Sequence, residues 1–197
     1  HNVRSIRLHM RKILAASPYI YMVQEANVIE AEVILVETQA REAGYSVVFS
    51  LPVPLAKDGR SRVGRRLAIF VKLPGVPSVL ATVHDKSCAY LLHSGRWTEC
   101  FVPTCDGSKH QGVANLYGYA GASTDDQLRK LNELLLKAAY SRMASFNDVP
   151  YYIGMDLNMD PQSSHVTAAA KKDGTVYDLV HDWTADDQQP LGTYKSG

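Results

Sequence analysis

The stretch YYIGMDLNMDP, residues 151–161, runs from apolar residues straight into Asp156, Asn158 and Asp160, spaced two apart. That spacing also opens a calcium-binding loop of the EF-hand type, which takes oxygen ligands at alternate loop positions. Such a loop needs a glycine just after its third ligand and a bidentate glutamate at its end. Pro161 and Thr167 stand there instead, and the comparison fails on both. The other reading is a buried strand running into a loop. Residues two apart on a strand share a face, so Asp156 and Asn158 project together near its end. A carboxylate beside an amide suits a site that handles a metal, a water or a phosphate. A plain turn is the structural alternative, because Asp, Asn and Pro commonly stop strands.

Upstream, STDDQLRKLNELLLKAAYSRM (123–143) predicts a helix: Thr124 as N-cap with Gln127 completes a capping box, and Leu128, Leu131, Leu134, Leu135 and Ala138 form an apolar face. Downstream, SSHVTAAAKKDG (163–174) reads as a short helix ended by Gly174. Before these, YSVVFSL (45–51), RLAIFVK (66–72), SVLATVH (78–84), RWTECFV (96–102) and GVANLY (112–117) are rich in β-branched and aromatic residues and bounded by turn formers. Strands in such succession predict hairpins and a largely antiparallel sheet. At the start, Ile6, Met10, Ile13 and Leu14 form a helical stripe opposite Arg7, Arg11 and Lys12, ended at Ser17-Pro18. YIYMVQ (19–24) reads as a strand that delivers Glu25, and residues 28–43 as a helix capped by Gly44. Helices around a block of strands predict packed layers of sheet and helix.

The 197 residues, 46% hydrophobic and 21% charged, describe one globular domain; a net charge of +1 announces neither nucleic acid nor membrane as partner. No apolar run approaches the roughly 18 residues of a membrane span, and no secretory signal opens the chain. Cys88, Cys100 and Cys105 are odd in number and lack zinc-type spacing, which points to structural roles and weakly to a reducing compartment. The chain begins at His1 and closes on GTYKSG without a cap, as an excerpt of a longer polypeptide would.

Polar residues recur at strand ends: Asn2, Glu25, Asn115 with Tyr117, and Asp156 with Asn158. Strand ends on one rim of a sheet are where α/β folds build sites. A lone glutamate there is ordinarily solvated, and a strand-end tyrosine ordinarily packs on a core edge. The functional alternative for Asn115 and Tyr117 is an amide and a phenol aimed at phosphate oxygens.

In order and separation, NVRSI, YIYMVQE, RRLAIFVK, ANLYGYAG, YYIGMDLNMDP and LGTYKSG resemble the endonuclease/exonuclease/phosphatase superfamily, most nearly its apurinic-type and retrotransposon-type endonucleases. The resemblance implies a four-layer α/β sandwich of two packed mixed or antiparallel β-sheets flanked by helices, lacking its last strands. It implies Glu25 as ligand of Mg²⁺ or Mn²⁺ with Asn2 in support, and Asp156 as the group that orients or deprotonates water. Asn158 would hold the scissile phosphate and Tyr117 donate to it. Two departures stand out. Met155 opens the family's glycine–aspartate pair, and its closing serine-arginine-isoleucine-aspartate and aspartate–histidine segments would lie beyond Gly197. His165 and His181 do not match the histidine's motif, so the 197-residue piece is expected to be feebly active at best.

KDGRSRVGRR (57–66) gathers Lys57, Arg60, Arg62, Arg65 and Arg66, either as a solvated hairpin loop or as a clamp on a phosphate backbone. The function this favours is a metal-dependent nucleic-acid phosphodiesterase, its partner DNA and further domains of a polyprotein, inside the cell and in the nucleus if retroelement-derived. A phosphatase or lipid phosphodiesterase of the same fold is a second reading. A non-catalytic domain that binds nucleic acid or protein is a third.

Overall fold

A computed structural model describes residues 6, 10, 14–57, 60–79, 86–104, 107, 109–146 and 149–177. Nine strands and four bounded helices alternate along it: β1 (Ile20–Val23), β2 (Val28–Ile29), α1 (Val33–Glu42), β3 (Tyr45–Phe49), β4 (Val53–Lys57), β5 (Arg60–Arg65) and β6 (Ala68–Lys72) come first. Then follow α2 (Lys86–His93), β7 (Trp97–Pro103), β8 (His110–Tyr117), α3 (Asp126–Ala144), β9 (Tyr151–Asp156) and α4 (His165–Lys172). They form three sheets, in the orders β1-β6-β3, β2-β5-β4 and β7-β8-β9. The pairs are antiparallel except β8 with β9, which is parallel.

The period of two along the strands makes the layers. In β6, Ala68 and Phe70 join a core with Ile6, Met10, Leu14, Val36 and Ala40, under α1 and the leading helix. Ile69 and Val71, one step out of phase, face Cys100, Val102 and Val113 of the β7-β8-β9 sheet. That sheet's other face, with Trp97, Ala114 and Leu116, packs against Leu135, Leu136 and Ala139 of α3. Three cores thus fill the gaps of a helix–sheet–sheet–helix stack, the sandwich expected from the sequence. The β2-β5-β4 arm projects from the end of β1.

Several local expectations change. Residues 28–43 are not one helix: Val28–Ile29 pair with β5, a single 3₁₀ turn follows, and α1 begins at Val33. Within KDGRSRVGRR, Lys57 ends β4 and Arg60–Arg65 form β5, paired from Lys57↔Arg60 to Val53↔Gly64, so most of the basic stretch is strand rather than loop. An unforeseen helix, α2, precedes β7 and breaks the expected run of hairpins. Of SVLATVH only Ser78 and Val79 are described, with Ser78 bridging to Phe101. The cap of α3 is Asp125, not Thr124: its side chain accepts from Gln127 N and Leu128 N. Of the expected apolar face Leu135 and Ala138 are buried, Leu136 and Ala139 join them, and Leu134 is 53% exposed. Cys88 and Cys100 are buried and in no disulfide, and burial pushes the Cys100 thiol up to about 12. Cys105 and His181 lie outside the described residues. Among the described residues no helix is long and apolar enough to cross a membrane.

Candidate active site

The site stands where β1, β8 and β9 end together. Tyr117 and Asp156 are register partners at the ends of β8 and β9. Both lie on the inter-sheet face, in phase with Val113 and with Gly154, whose added Cβ would meet Met22 Sδ of β1 at 2.5 Å. Glycine at 154 therefore lets the two sheets close on each other just below Asp156. This also accommodates Met155 between the glycine and the aspartate, since it falls on the opposite face and is 38% exposed.

Glu25 reaches this rim through a backbone irregularity. It sits at φ 54°, followed by Asn27 at φ 46°, and strand contact resumes only where Ala26 N donates to Arg66 O at 2.8 Å. A left-handed conformation is unfavourable for a residue with a Cβ, by roughly 1 kcal/mol, and such positions cluster at functional sites. Here it turns the carboxylate toward Tyr117, whose hydroxyl donates to Glu25 Oε1. Asn158, also left-handed at φ 53°, is held by its own N–H donating to Asp156 Oδ1 at 3.1 Å. Its amide reaches Gly118 O at 3.4 Å and hydrogen-bonds the Tyr117 hydroxyl. Burial, the Glu25 hydrogen bond and the Glu25 charge push the Tyr117 phenol up to about 12, aided by Asp156 and opposed by the Asn158 amide. The phenol therefore remains a neutral donor across the physiological range. Glu25, Tyr117, Asp156 and Asn158 meet around one hydroxyl group.

Asn115 belongs to a different job. It is fully buried between the sheets: Nδ2 donates to Val23 O at 2.9 Å and Ala68 O at 3.2 Å, while Oδ1 accepts from Gln24 Nε2 at 2.7 Å. These bonds consume the amide, so it is not aimed at a substrate phosphate. They tie β8, which carries Tyr117, to β1 and β6, which carry Glu25.

Two supporting residues escaped the sequence reading. Asn132, fully buried on α3, accepts from Tyr119 N at 2.7 Å and donates to Leu157 O at 2.6 Å, clamping together the loops after β8 and β9. Gly118 permits this approach, because a Cβ there would collide with the Leu157 backbone. A lone amide within the apolar stripe of 123–143 was the available signal. Arg96 donates from Nη1 to Tyr117 O at 3.2 Å and Gly118 O at 2.6 Å, and its guanidinium lies 3.8 Å from the Tyr119 ring centroid. Asp160 does what its setting with Pro161 implies, capping a 3₁₀ turn by accepting from Gln162 N at 3.0 Å.

The basic stretch divides. Arg62 is exposed on the arm, and Arg60 lies in the same strand. Arg65 is committed elsewhere: Nε and Nη2 grip Glu30 at 3.1 and 2.7 Å. Arg66 donates from Nη2 to Pro54 O at 3.3 Å, while its Nε is buried without a hydrogen-bond partner. Asn2 lies outside the described residues.

The donors around Tyr117 suit a hard divalent cation. Glu25 and Asp156 supply carboxylate oxygens and Asn158 an amide, whereas among the described residues no three His, Cys, Asp or Glu gather into a closed cage. Mg²⁺ is commonly held in this open way, by one or two carboxylates with water and substrate phosphate completing its shell.

No protein-family model and no curated protein matches the sequence. Solved structures do match the fold. The human Nocturnin catalytic domain with bound sulfate superposes with a TM-score of 0.62 at 14% identity, covering 93% of this chain. A 3′–5′ exonuclease from Neisseria meningitidis gives 0.52 at 17% identity over 81% of the chain. The endonuclease domain of TRAS1, a telomere-specific non-LTR retrotransposon, gives 0.50 at 12% identity over 89%. This chain spans 67%, 57% and 66% of those three structures respectively. On these superpositions the chain has the fold of the endonuclease/exonuclease/phosphatase superfamily.

Proposed function

We propose that this chain is a metal-dependent phosphodiesterase domain that hydrolyses nucleic acid, with DNA as its substrate, in the manner of an endonuclease. The observation that carries the reading is the gathering of Glu25 from the end of β1, and of Asp156 and Asn158 from the end of β9, around Tyr117 at the end of β8. Among the described residues neither Glu25 nor Asp156 forms an ion pair, and two of the four residues hold left-handed backbones to reach this place. Glu25, supported by Asn2, would hold Mg²⁺ or Mn²⁺, which when bound supplies Lewis-acid stabilisation of charge on a phosphate.

The protein's own groups do the rest. Asp156 has one oxygen pinned by Asn158 N–H and uses the other to orient or deprotonate water. Asn158 and the neutral Tyr117 phenol donate to phosphate oxygens as negative charge grows on them. Among the described residues no histidine joins this group; His165 lies against Glu133, at 3.8 Å, on the α3–α4 surface. Arg62 and Arg60 on the arm offer contacts to a nucleic-acid backbone.

The test is nicking of supercoiled DNA in Mg²⁺ by the chain, Glu25→Ala and Asp156→Ala, with Mn²⁺ affinity measured in parallel by calorimetry. Mn²⁺ binding lost in Glu25→Ala, and nicking lost in both variants, is the expected result. Equal Mn²⁺ affinity in all three proteins refutes the site. DNA binding without nicking by the unaltered chain favours the non-catalytic alternative.

A further inference from the structure

Beside Tyr117 lies a second group of residues that the phosphodiesterase chemistry does not use. Arg66 and the residue preceding Arg96 both contact the start of β4. Arg66 Nη2 donates to Pro54 O at 3.3 Å, and Gly95, next to Arg96, packs where an added Cβ would collide with the Val53 side chain. Among the described residues neither guanidinium forms an ion pair with a carboxylate. Among the described residues Arg96 bonds main-chain carbonyls, lies against two aromatic rings and is hydrogen-bonded to Tyr119, and Arg66 Nε is a buried donor with no partner. Two like charges and an unsatisfied donor at one place are unfavourable unless an anion completes them. In keeping with this, burial and then the Arg66 charge hold the Arg96 guanidinium below its usual range.

Tyr119 links this pair to an open depression. Its ring carries Arg96 at 3.8 Å and also lines a hollow of about 450 Å³ with Lys86, Ala89, Tyr90, His93 and Ser94. Tyr90 is hydrogen-bonded to Tyr119 yet remains 37% exposed. The lining is mostly apolar, in the size range of ligand pockets, and bordered by cations. Flat aromatic surfaces beside positive charge are what single-stranded nucleic acids use: bases stack on the rings and phosphates meet the guanidinium groups.

We propose that Arg66, Arg96, Tyr119 and Tyr90 form a nucleotide subsite beside Tyr117, in which the guanidinium pair holds a phosphate and the tyrosine-lined depression takes the adjoining base. The assignment rests on the phosphodiesterase reading for its place in catalysis, but it concerns binding and needs no metal. It makes an unpaired nucleotide next to the scissile phosphate part of the recognised substrate.

The test is calorimetric titration of the whole chain in EDTA with three probes: a 5′-phosphorylated thymidine dinucleotide, its abasic counterpart and inorganic phosphate. The dinucleotide should bind about tenfold or more tightly than the abasic probe, the range of one base stacked on an aromatic ring. Tyr90→Ala should bring the two affinities together. Arg66→Gln should weaken both, while Arg66→Lys retains the charge and part of the binding. Equal affinity of the dinucleotide and the abasic probe for the unaltered protein overturns the base pocket, whatever the variants do. Unchanged binding of both probes in Arg66→Gln overturns the phosphate contact. The two readings fail separately: binding as expected without nicking in Mg²⁺ counts against the phosphodiesterase, and nicking without metal-free dinucleotide binding counts against the subsite.

Discussion

Replacing Asn115 by alanine is the sharpest probe of how the fold holds the site. The side chain is fully buried and makes three hydrogen bonds between sheets, to Val23 O, Ala68 O and Gln24 Nε2. Each neutral hydrogen bond contributes about 1 kcal/mol net, and a buried group left unsatisfied costs roughly 1–3 kcal/mol. Because Val23 O and Ala68 O lose a donor that nothing replaces, Asn115→Ala should destabilise by about 4 kcal/mol. For a chain of this size each kcal/mol moves Tm by about 2–4 °C, so a fall on the order of 10 °C is expected. Gln24→Ala leaves both carbonyls satisfied but strands Asn115 Oδ1, so it should cost roughly 1–3 kcal/mol, less than Asn115→Ala. Urea denaturation of the three proteins measures both. At the site, Asn115→Ala should lower kcat by loosening Tyr117 from Glu25, with KM little changed. A loss below about 1 kcal/mol for Asn115→Ala, or a rise in KM alone, would refute the inter-sheet role and restore Asn115 as a phosphate ligand.

Tyr117→Phe removes the donor shared by Glu25 and a substrate phosphate, and should slow nicking about 10²-fold with a small change in urea stability; unaltered nicking removes Tyr117 from the site. In ultraviolet difference titration against Tyr117→Phe, this phenol should ionise at about 12 rather than 10.0, and earlier in Glu25→Gln. Because its folded value is raised, the neutral phenol contributes stability that is complete below pH 10 and lost as pH climbs through 12; a Tyr117→Phe protein with the same alkaline profile contradicts this. Glu25→Gly should be about 1 kcal/mol more stable than Glu25→Ala, since glycine accepts φ 54° freely; equal stability means the backbone there is relaxed. Arg142→Met should cost about 3–5 kcal/mol by stranding Glu99, because both side chains are only 4% exposed, whereas Arg142→Met with Glu99→Met should recover most of it; Tm of the two variants decides.

Much of the fold was legible where it depends on neighbouring residues alone. The β-branched and aromatic runs RLAIFVK and GVANLY, the apolar stripe of 123–143 and the end of the last helix before Gly174 all correspond to real elements. The misreadings have physical causes. KDGRSRVGRR looked like a loop because β5 carries charges and glycine, and Val63, its one apolar side chain, is 51% exposed, so no apolar alternation marks the strand. Val28–Ile29 looked helical because a short bridge and a 3₁₀ turn lead directly into α1. Choosing between Thr124 and Asp125 as the cap required the backbone, since both residue types cap well.

The sequence by itself determined the two-residue phase that puts Tyr117 on one face of its strand and Asp156 on one face of another, and it placed Glu25 at a strand end. Each of those is a local property of the chain. Only the tertiary structure decided that these ends coincide: the parallel register of β8 with β9 aligns Tyr117 with Asp156, and Asn115 bolts that sheet to the one bearing Glu25. Tertiary structure alone also separated Arg65, committed to Glu30, from Arg66, which faces Arg96 with a buried donor unspent. Pairing partners far apart in sequence set these roles, and no single stretch of residues contains them.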